Sequence, residues 1–224
     1  MIAFVFARGG SKRLKNKNLR KINGKPLIYY SINLAKKIKK IKDVYVSTDS
    51  KKIAAISKQY GAKIIVRPKI LANSKSIEFL SWKHAVKSLE NRNIKFSKFI
   101  SLPCTAPLRN LSDVIKCIKK LKNKKKLIIT GYENDQNTLY CKIHKCKDGK
   151  FFFKKKNNVK KMNKPKILSL TTVAYVTTKD YIKDYKNIFD GDVLVTKIPK
   201  ERAIDINDKF DFKIAKILIE NNVK

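Results

Sequence analysis

The sequence predicts an α/β protein in which a mainly parallel sheet carries helices on both faces. Three observations lead there. Short apolar runs alternate with segments of helical period, each run ends in polar turn residues, and the intervening connections are short. With 224 residues and no internal repeat, the chain suits one domain, residues 1–224, large enough to bury most of what its unfolded form exposes.

Taken in order, the first strand is expected at Ile2–Phe6. After the Asn23-Gly24 turn a helix begins at Pro26, a residue favoured at the first helical position, and turns Ile28, Ile32 and Ala35 inward. A strand follows at Val44–Ser47 and a helix over Lys51–Gln59, closed by Gly61. Lys63–Val66 is the next strand, Ile77–Leu89 a helix, Lys98–Leu102 a strand, and Leu111–Leu121 a helix with Ser112 or Asp113 near its cap. Leu127–Thr130 completes the first series of strands. From about Gly131 the pattern becomes polar and aromatic, and residues 132–170 read as a β-rich excursion out of the main sheet. Strands resume at Thr172–Thr177 and Val193–Ile198, and a closing helix shows an apolar face of Phe210, Ile214, Ile217 and Leu218.

The formal net charge of +37 raises a nucleic-acid reading, which the kind of charge argues against. Nearly all the excess is lysine, spread over nearly every expected helix and loop, whereas base readers lean on the arginine fork and only seven arginines occur: Arg8, Arg13, Arg20, Arg67, Arg92, Arg109 and Arg202. No specific nucleic-acid partner is expected. Four scattered cysteines fit a reducing cytoplasm. The run Ile2–Ala7 lacks a basic leader, and no stretch approaches the about 18 apolar residues of a membrane span, so neither export nor a membrane is expected.

The chemistry-bearing residues cluster at expected strand ends, where α/β proteins place ligands. Gly9 and Gly10 allow backbone to approach an anion, and Arg8, Lys12 and Lys17 supply positive charge, in a loop that matches neither GxxxxGKS/T nor GxGxxG. Asp49 is expected to cap the next helix, with entry into the cleft as the alternative. Arg67 and Ser76 follow the third strand, and Thr105 and Arg109 the fourth. In "RAIDINDKFD" an extended backbone puts Asp205 and Asn207 on one face, where they can address one Mg²⁺, while Asp208 suits a helix N-cap. Cys141, His144 and Cys146 lack a fourth ligand and standard zinc spacing. With His84 as the one other histidine, no nucleophilic triad is on offer.

Together "ARGGSKRLKNKNLRKINGKPLI", "VSTDS", "YGAKIIVRP", "CTAPLR", "TTVAYV" and "AIDINDKFDF", in that order over nearly the whole chain, resemble the acylneuraminate (CMP-sialic acid) cytidylyltransferase family. The resemblance implies a Rossmann-like nucleotidyltransferase, a cytoplasmic homodimer joined through the excursion, which also reaches the partner's sugar pocket. It implies CTP and a 2-keto sugar acid of sialic, legionaminic or pseudaminic type as substrates. Arg8, Ser11, Lys12 and Lys17 would hold the triphosphate, with Arg8, Lys12 and Asp205 catalytic, and Asn18, Arg67 and Ser76 the nucleoside. Pro103, Thr105, Arg109, Tyr175 and Phe189 would line the sugar pocket. Asp205 would bind Mg²⁺, with Asn207 where a second aspartate is common. Pro103 stands where sialic acid enzymes commonly carry glutamine, and Glu78 where a small hydroxyl residue is frequent. The alternatives are a nucleotidyltransferase for 3-deoxy-manno-octulosonate or another nucleotide, and a basic nucleic-acid-binding protein.

Overall fold

The computed structural model describes residues 1–73, 76–122, 125–133, 143–145, 151–153 and 168–221. Strand β1 (Ile2–Phe6) leads through a 3-10 turn at Lys17–Leu19 to a small hairpin, β2 (Lys21–Ile22) and β3 (Lys25–Pro26), and then to α1 (Leu27–Lys36). Next come β4 (Asp43–Thr48), α2 (Lys51–Gln59), β5 (Lys63–Val66), a 3-10 turn at Lys69–Leu71, α3 (Glu78–Glu90), β6 (Lys98–Ser101) and α4 (Leu111–Leu121). The chain continues with β7 (Leu127–Glu133), β8 (Ile143–Lys145), β9 (Phe151–Phe153), β10 (Leu168–Thr178), α5 (Lys179–Asp184), β11 (Val193–Lys197), a 3-10 turn at Lys200–Ala203, and α6 (Lys209–Glu220).

Seven strands form the main sheet in the order β11-β7-β10-β6-β1-β4-β5. All run parallel except β10, which is antiparallel to both its neighbours. Side chains alternate across the sheet: Ala3 and Val5 face α1, α2 and α4, whereas Ile2 and Phe4 face α3 and α5. The first face is aliphatic, closed by Ile28, Ile32, Ile53, Val114 and Cys117. The second is aromatic, with Phe4 stacked on Phe99 at 4.5 Å and Trp82 tilted against both Phe99 and Phe79. Among the described residues no helix is long and apolar enough to cross a membrane.

Several element ends follow from local chemistry. Asn23 and Gly24, both at positive φ, make the tight turn of the β2–β3 hairpin, so Pro26 closes that hairpin and α1 starts one residue later than expected. The cap of α4 is Asn110, which forms a capping box with Asp113. The closing helix departs from its expected face. Ala215, Phe212 and Ile219 turn inward against Leu14, Ile22 and Ile206, and Phe210 and Ile217 are exposed, because α6 carries apolar residues on two sides and the β2–β3 hairpin selects one. The β8–β9 ladder is antiparallel and falls within the expected excursion. The rest of 134–167, with Cys141 and Cys146, lies outside the described residues.

Candidate active site

The carboxyl ends of β1, β5 and β6 open onto a cleft of about 490 Å³, within the range of about 300–1,000 Å³ common for small-molecule sites. Arg8, Ser11, Lys12, Lys17, Asn18, Arg67, Ser76, Thr105 and Asn207 line it, so most of the expected rim is brought together. Phe6, Arg13, Leu71, Glu78 and Ser81 join them from outside that expectation.

The loop after β1 is held from three sides. Its glycine pair divides in role. Gly9 donates its N–H to Asp49 Oδ1 at 2.9 Å, and a Cβ added there would lie 3.1 Å from Ser50 Cβ, so a side chain at this position would crowd the start of α2. Gly10 is exposed, with open space around its Cα. Asp49 therefore does not cap α2: Ser50 accepts from Ile53 N–H and takes that role, leaving the carboxylate free to turn back on the loop. Buried Asn18 donates to the Arg8 carbonyl at 3.0 Å, which fixes the backbone from which the Arg8 side chain enters the cleft. Lys17 donates to the Ile206 carbonyl at 2.8 Å, tying the loop to the segment before α6. Burial lowers the Lys17 ammonium from its ordinary value, and Asp205 opposes that shift.

Arg67 is buried and rigid. Its Nε and Nη2 donate to Ser47 Oγ and Ser47 O at 3.2 and 2.6 Å, and its guanidinium lies over the Phe6 ring at 5.6 Å. Burial lowers its pKa, while Asp49 and Glu78 favour its charge. Opposite the basic loop, Asn207 Nδ2 donates to Asp205 Oδ2 at 3.0 Å and Asn207 Oδ1 accepts from Arg13 at 2.9 Å. The extended-backbone expectation thus holds for the two side chains, although Ala203 itself ends a 3-10 turn. Asp205 Oδ1 accepts from Thr172 Oγ1 at 3.0 Å. Thr172 can reach it because residues 172–174 bulge from the β10–β7 ladder between Thr171 and Tyr175, and a bulge re-aims side chains. Asp208 caps α6, as its sequence position suggested.

Four residues expected at the sugar pocket do not line this cleft. Arg109 is buried beneath the loop after β6, where it donates to the Pro103 carbonyl and, at 3.1 Å, to Ser31 Oγ; burial pushes its pKa down to about 10. A guanidinium committed to holding a loop in place has a structural part, which corrects the expected one. Pro103 contributes its carbonyl to that clamp and to Ser31. Tyr175 is buried edge-on against Trp82 at 5.4 Å, and Phe189 is exposed in the turn after α5. The thiol of Cys104 is pushed up to about 12 by burial and supplies no nucleophile. Chemically, the cleft offers five cations to a polyanion, one carboxylate-amide pair to a hard cation, and no triad among the described residues.

A family model described as "Cytidylyltransferase" matches residues 2–164. The chain is 31% identical to a post-translational flagellin modification protein B of Campylobacter coli, over 98% of this chain and 95% of that protein. It is 30% identical to a CMP-N,N'-diacetyllegionaminic acid synthase of Campylobacter jejuni subsp. jejuni, over 98% of this chain and 94% of that protein. Its fold is similar to that of a CMP:2-keto-3-deoxy-manno-octonic acid synthetase complexed with CTP, at a TM-score of 0.71 and 15% identity, covering 99% of this chain and 98% of the other.

Proposed function

The chain belongs to the cytidylyltransferase family, and from that premise we propose that this nucleotidyltransferase activates a nonulosonic (2-keto sugar) acid with CTP, releasing pyrophosphate and a CMP-sugar. The observation that carries the reading is the cleft itself: Arg8, Lys12, Arg13, Lys17 and Arg67 converge on one side, with Asn207 and its partner Asp205 on the other. Relatives that match the full chain include proteins named for legionaminic and pseudaminic acids, which supports an acid of that class.

In this reading the anomeric hydroxyl of the sugar acid attacks the α-phosphorus of CTP, its proton passes to solvent water, and the bond from the α-phosphorus to the oxygen it shares with the β-phosphorus breaks. Arg8, Ser11, Lys12 and Lys17 hold the triphosphate, and Arg8 and Lys12 neutralise the charge that develops on the departing pyrophosphate. Asn18 keeps the Arg8 backbone in place, Arg67 and Ser76 face the nucleoside, and Thr105 faces the sugar acid. Tyr175 and Pro103 support the site from beneath, through Trp82 and through the Arg109 clamp, and do not face the sugar acid. Asp205 is a hard oxygen donor that would hold a Mg²⁺ whose remaining ligands come from phosphates and water, and the Asn207 amide, whose Nδ2 donates to Asp205 while its Oδ1 accepts from Arg13, would have to release Arg13 and turn to add its oxygen. When bound, the ion supplies charge neutralisation across the phosphate oxygens.

A cytoplasmic homodimer joined through residues 132–170 is part of the same reading. Exposed Leu168 and Leu170, where that segment ends in β10, support it, and buried free thiols at Cys104 and Cys117 fit a reducing compartment. The test is pyrophosphate release from CTP with Mg²⁺ and a panel of legionaminic, pseudaminic, sialic and 3-deoxy-manno-octulosonic acids. Turnover with at least one nonulosonic acid is expected; release from none of them, or from the octulosonic acid alone, removes the reading.

A further inference from the structure

Among the described residues that line the cleft, Glu78 is the one carboxylate, Asp205 adjoining the cleft only through its bond with Asn207, and Glu78 shares the cleft with five cations. A carboxylate in a polyanion site repels phosphate, so its partner must be a part of the ligand that donates hydrogen bonds. Glu78 starts α3 and is fixed there: Trp82 Nε1, one turn on, donates to its Oε1 at 3.2 Å. The side chain is open to the cleft yet crowded by protein, and the burial of its carboxyl raises its pKa, an effect opposed by the Trp82 bond and by Arg67. Beside it, Arg67 is immobilised by Ser47 and Phe6, and Phe6 and Leu71 add apolar wall. This end of the cleft therefore holds a fixed donor, a fixed acceptor and flat apolar surface, whereas Arg8, Lys12, Arg13 and Lys17 gather on the loop after β1.

Resting on the CTP reading above, we propose that Glu78 is the residue that selects the base, its Oε2 accepting a hydrogen bond from the exocyclic amine of cytosine while Arg67 donates to the ring acceptors. Carboxylates pair with the cytosine amine for a simple reason: that amine is a donor, and uracil places an acceptor oxygen at the same point. UTP then meets two acceptors face to face, and the Glu78 carboxylate loses its partner in a crowded setting.

The test is equilibrium binding by calorimetry, with Mg²⁺, of CTP, UTP, 2′-deoxy-CTP and the pyrimidin-2-one ribonucleoside triphosphate that lacks the amine. For the wild-type protein, CTP is expected to bind about 10- to 100-fold more tightly than UTP or the amine-free analogue, the range for a hydrogen bond to a charged group. In Glu78→Gln, which keeps an oxygen for Trp82, the CTP preference should vanish or reverse, because the amide can present its NH₂ to uracil. An unchanged CTP-to-UTP ratio in Glu78→Gln overturns the proposal. So does a variant that loses only its distinction between CTP and 2′-deoxy-CTP, which would assign Glu78 to the ribose. The amine-free analogue tests the wild-type protein without any substitution, and equal affinity for it and CTP also overturns the proposal. Absence of CTP binding by the wild-type protein removes the functional reading as well, which separates the two failures.

Discussion

Asp49 shows how one carboxylate can shape a cationic site without entering it. Its Oδ1 holds the Gly9 N–H, so the loop bearing Arg8 and Lys12 is seated before any ligand arrives. Asp49→Ala should therefore raise KM for CTP severalfold more than it lowers kcat, and Asp49→Asn, which keeps the acceptor oxygen, should restore most of the loss; equal effects of the two variants would place the role in the charge instead. Lys12 is exposed on that loop, and if it stabilises the leaving pyrophosphate, Lys12→Ala should reduce kcat by about 10²-fold or more. Near-normal turnover would remove it from the mechanism. Glu78 gives a pH prediction. Its folded-state pKa is raised, chiefly by burial, so the folded protein binds the proton more strongly than the unfolded chain and stability falls as pH rises from the ordinary glutamate value through the raised one. Because Glu78 is exposed to the cleft, solvent screens much of this effect, and Glu78→Gln should raise the melting temperature only slightly at neutral pH, with the gain disappearing as pH drops below about 4. At this scale the sequence was legible where a residue's role follows from its type and loop, as for Arg8 and Lys17. It was not for Asp49 and Arg109. Competition from Ser50 for the cap and burial of a guanidinium under Pro103 are tertiary facts.

Among the elements, the segment between β11 and α6 decides whether Asp205 and Asn207 reach the cleft. It is fastened at one end by Arg202, whose Nε and Nη2 donate to the two oxygens of fully buried Asp113 at 2.8 Å each, and Asp113 is itself the third residue of α4 and part of its capping box. At the other end Ile206 N–H donates to the Thr105 carbonyl at 2.8 Å. Arg202→Ala leaves the Asp113 carboxylate buried without its counterion, a change that typically costs about 3–5 kcal/mol; the arginine side chain is 21% exposed, which favours the lower figure. Urea denaturation should show that loss, and the apparent Mg²⁺ requirement for turnover should rise in the same variant, since the metal-side residues lose their anchor. Strand and helix positions such as β1, β5, α2 and α4 follow from short apolar runs between turn signals, and they were read to the residue. Direction was not legible: β10 repeats the apolar period of its neighbours, and only its ladder with β6 and β7 shows it to be antiparallel. Six-residue α5 is too short for a period, and α6 has two apolar sides, so its buried face depends on the β2–β3 hairpin.

For the whole molecule, the net charge of +37 is best understood through where the arginines went. Arg8, Arg13 and Arg67 line the cleft, Arg109 and Arg202 hold buried loops, Arg92 donates to the Ile64 carbonyl, and Arg20 lies over Phe212. The fork geometry of arginine is used for structure and site, while lysines such as Lys63, Lys126 and Lys179 make pairs at the surface. Surface charge and site charge should then respond differently to salt. A polyanion held by solvated lysines releases counterions, and its affinity falls about 10³- to 10⁵-fold between 50 and 200 mM salt for several phosphate contacts. CTP bound in a cleft with part-buried cations is screened less. At 100 times its Kd, CTP with Mg²⁺ should stabilise the fold by about 2.7 kcal/mol, which for a chain of this size corresponds to a melting shift of about 5–10 °C. That shift should persist at 200 mM salt, under which any stabilisation by duplex DNA should disappear. A CTP shift that collapses together with the DNA effect would mean that the cleft contributes no more than the surface field does, and the site would lose its claim to be built for a nucleotide.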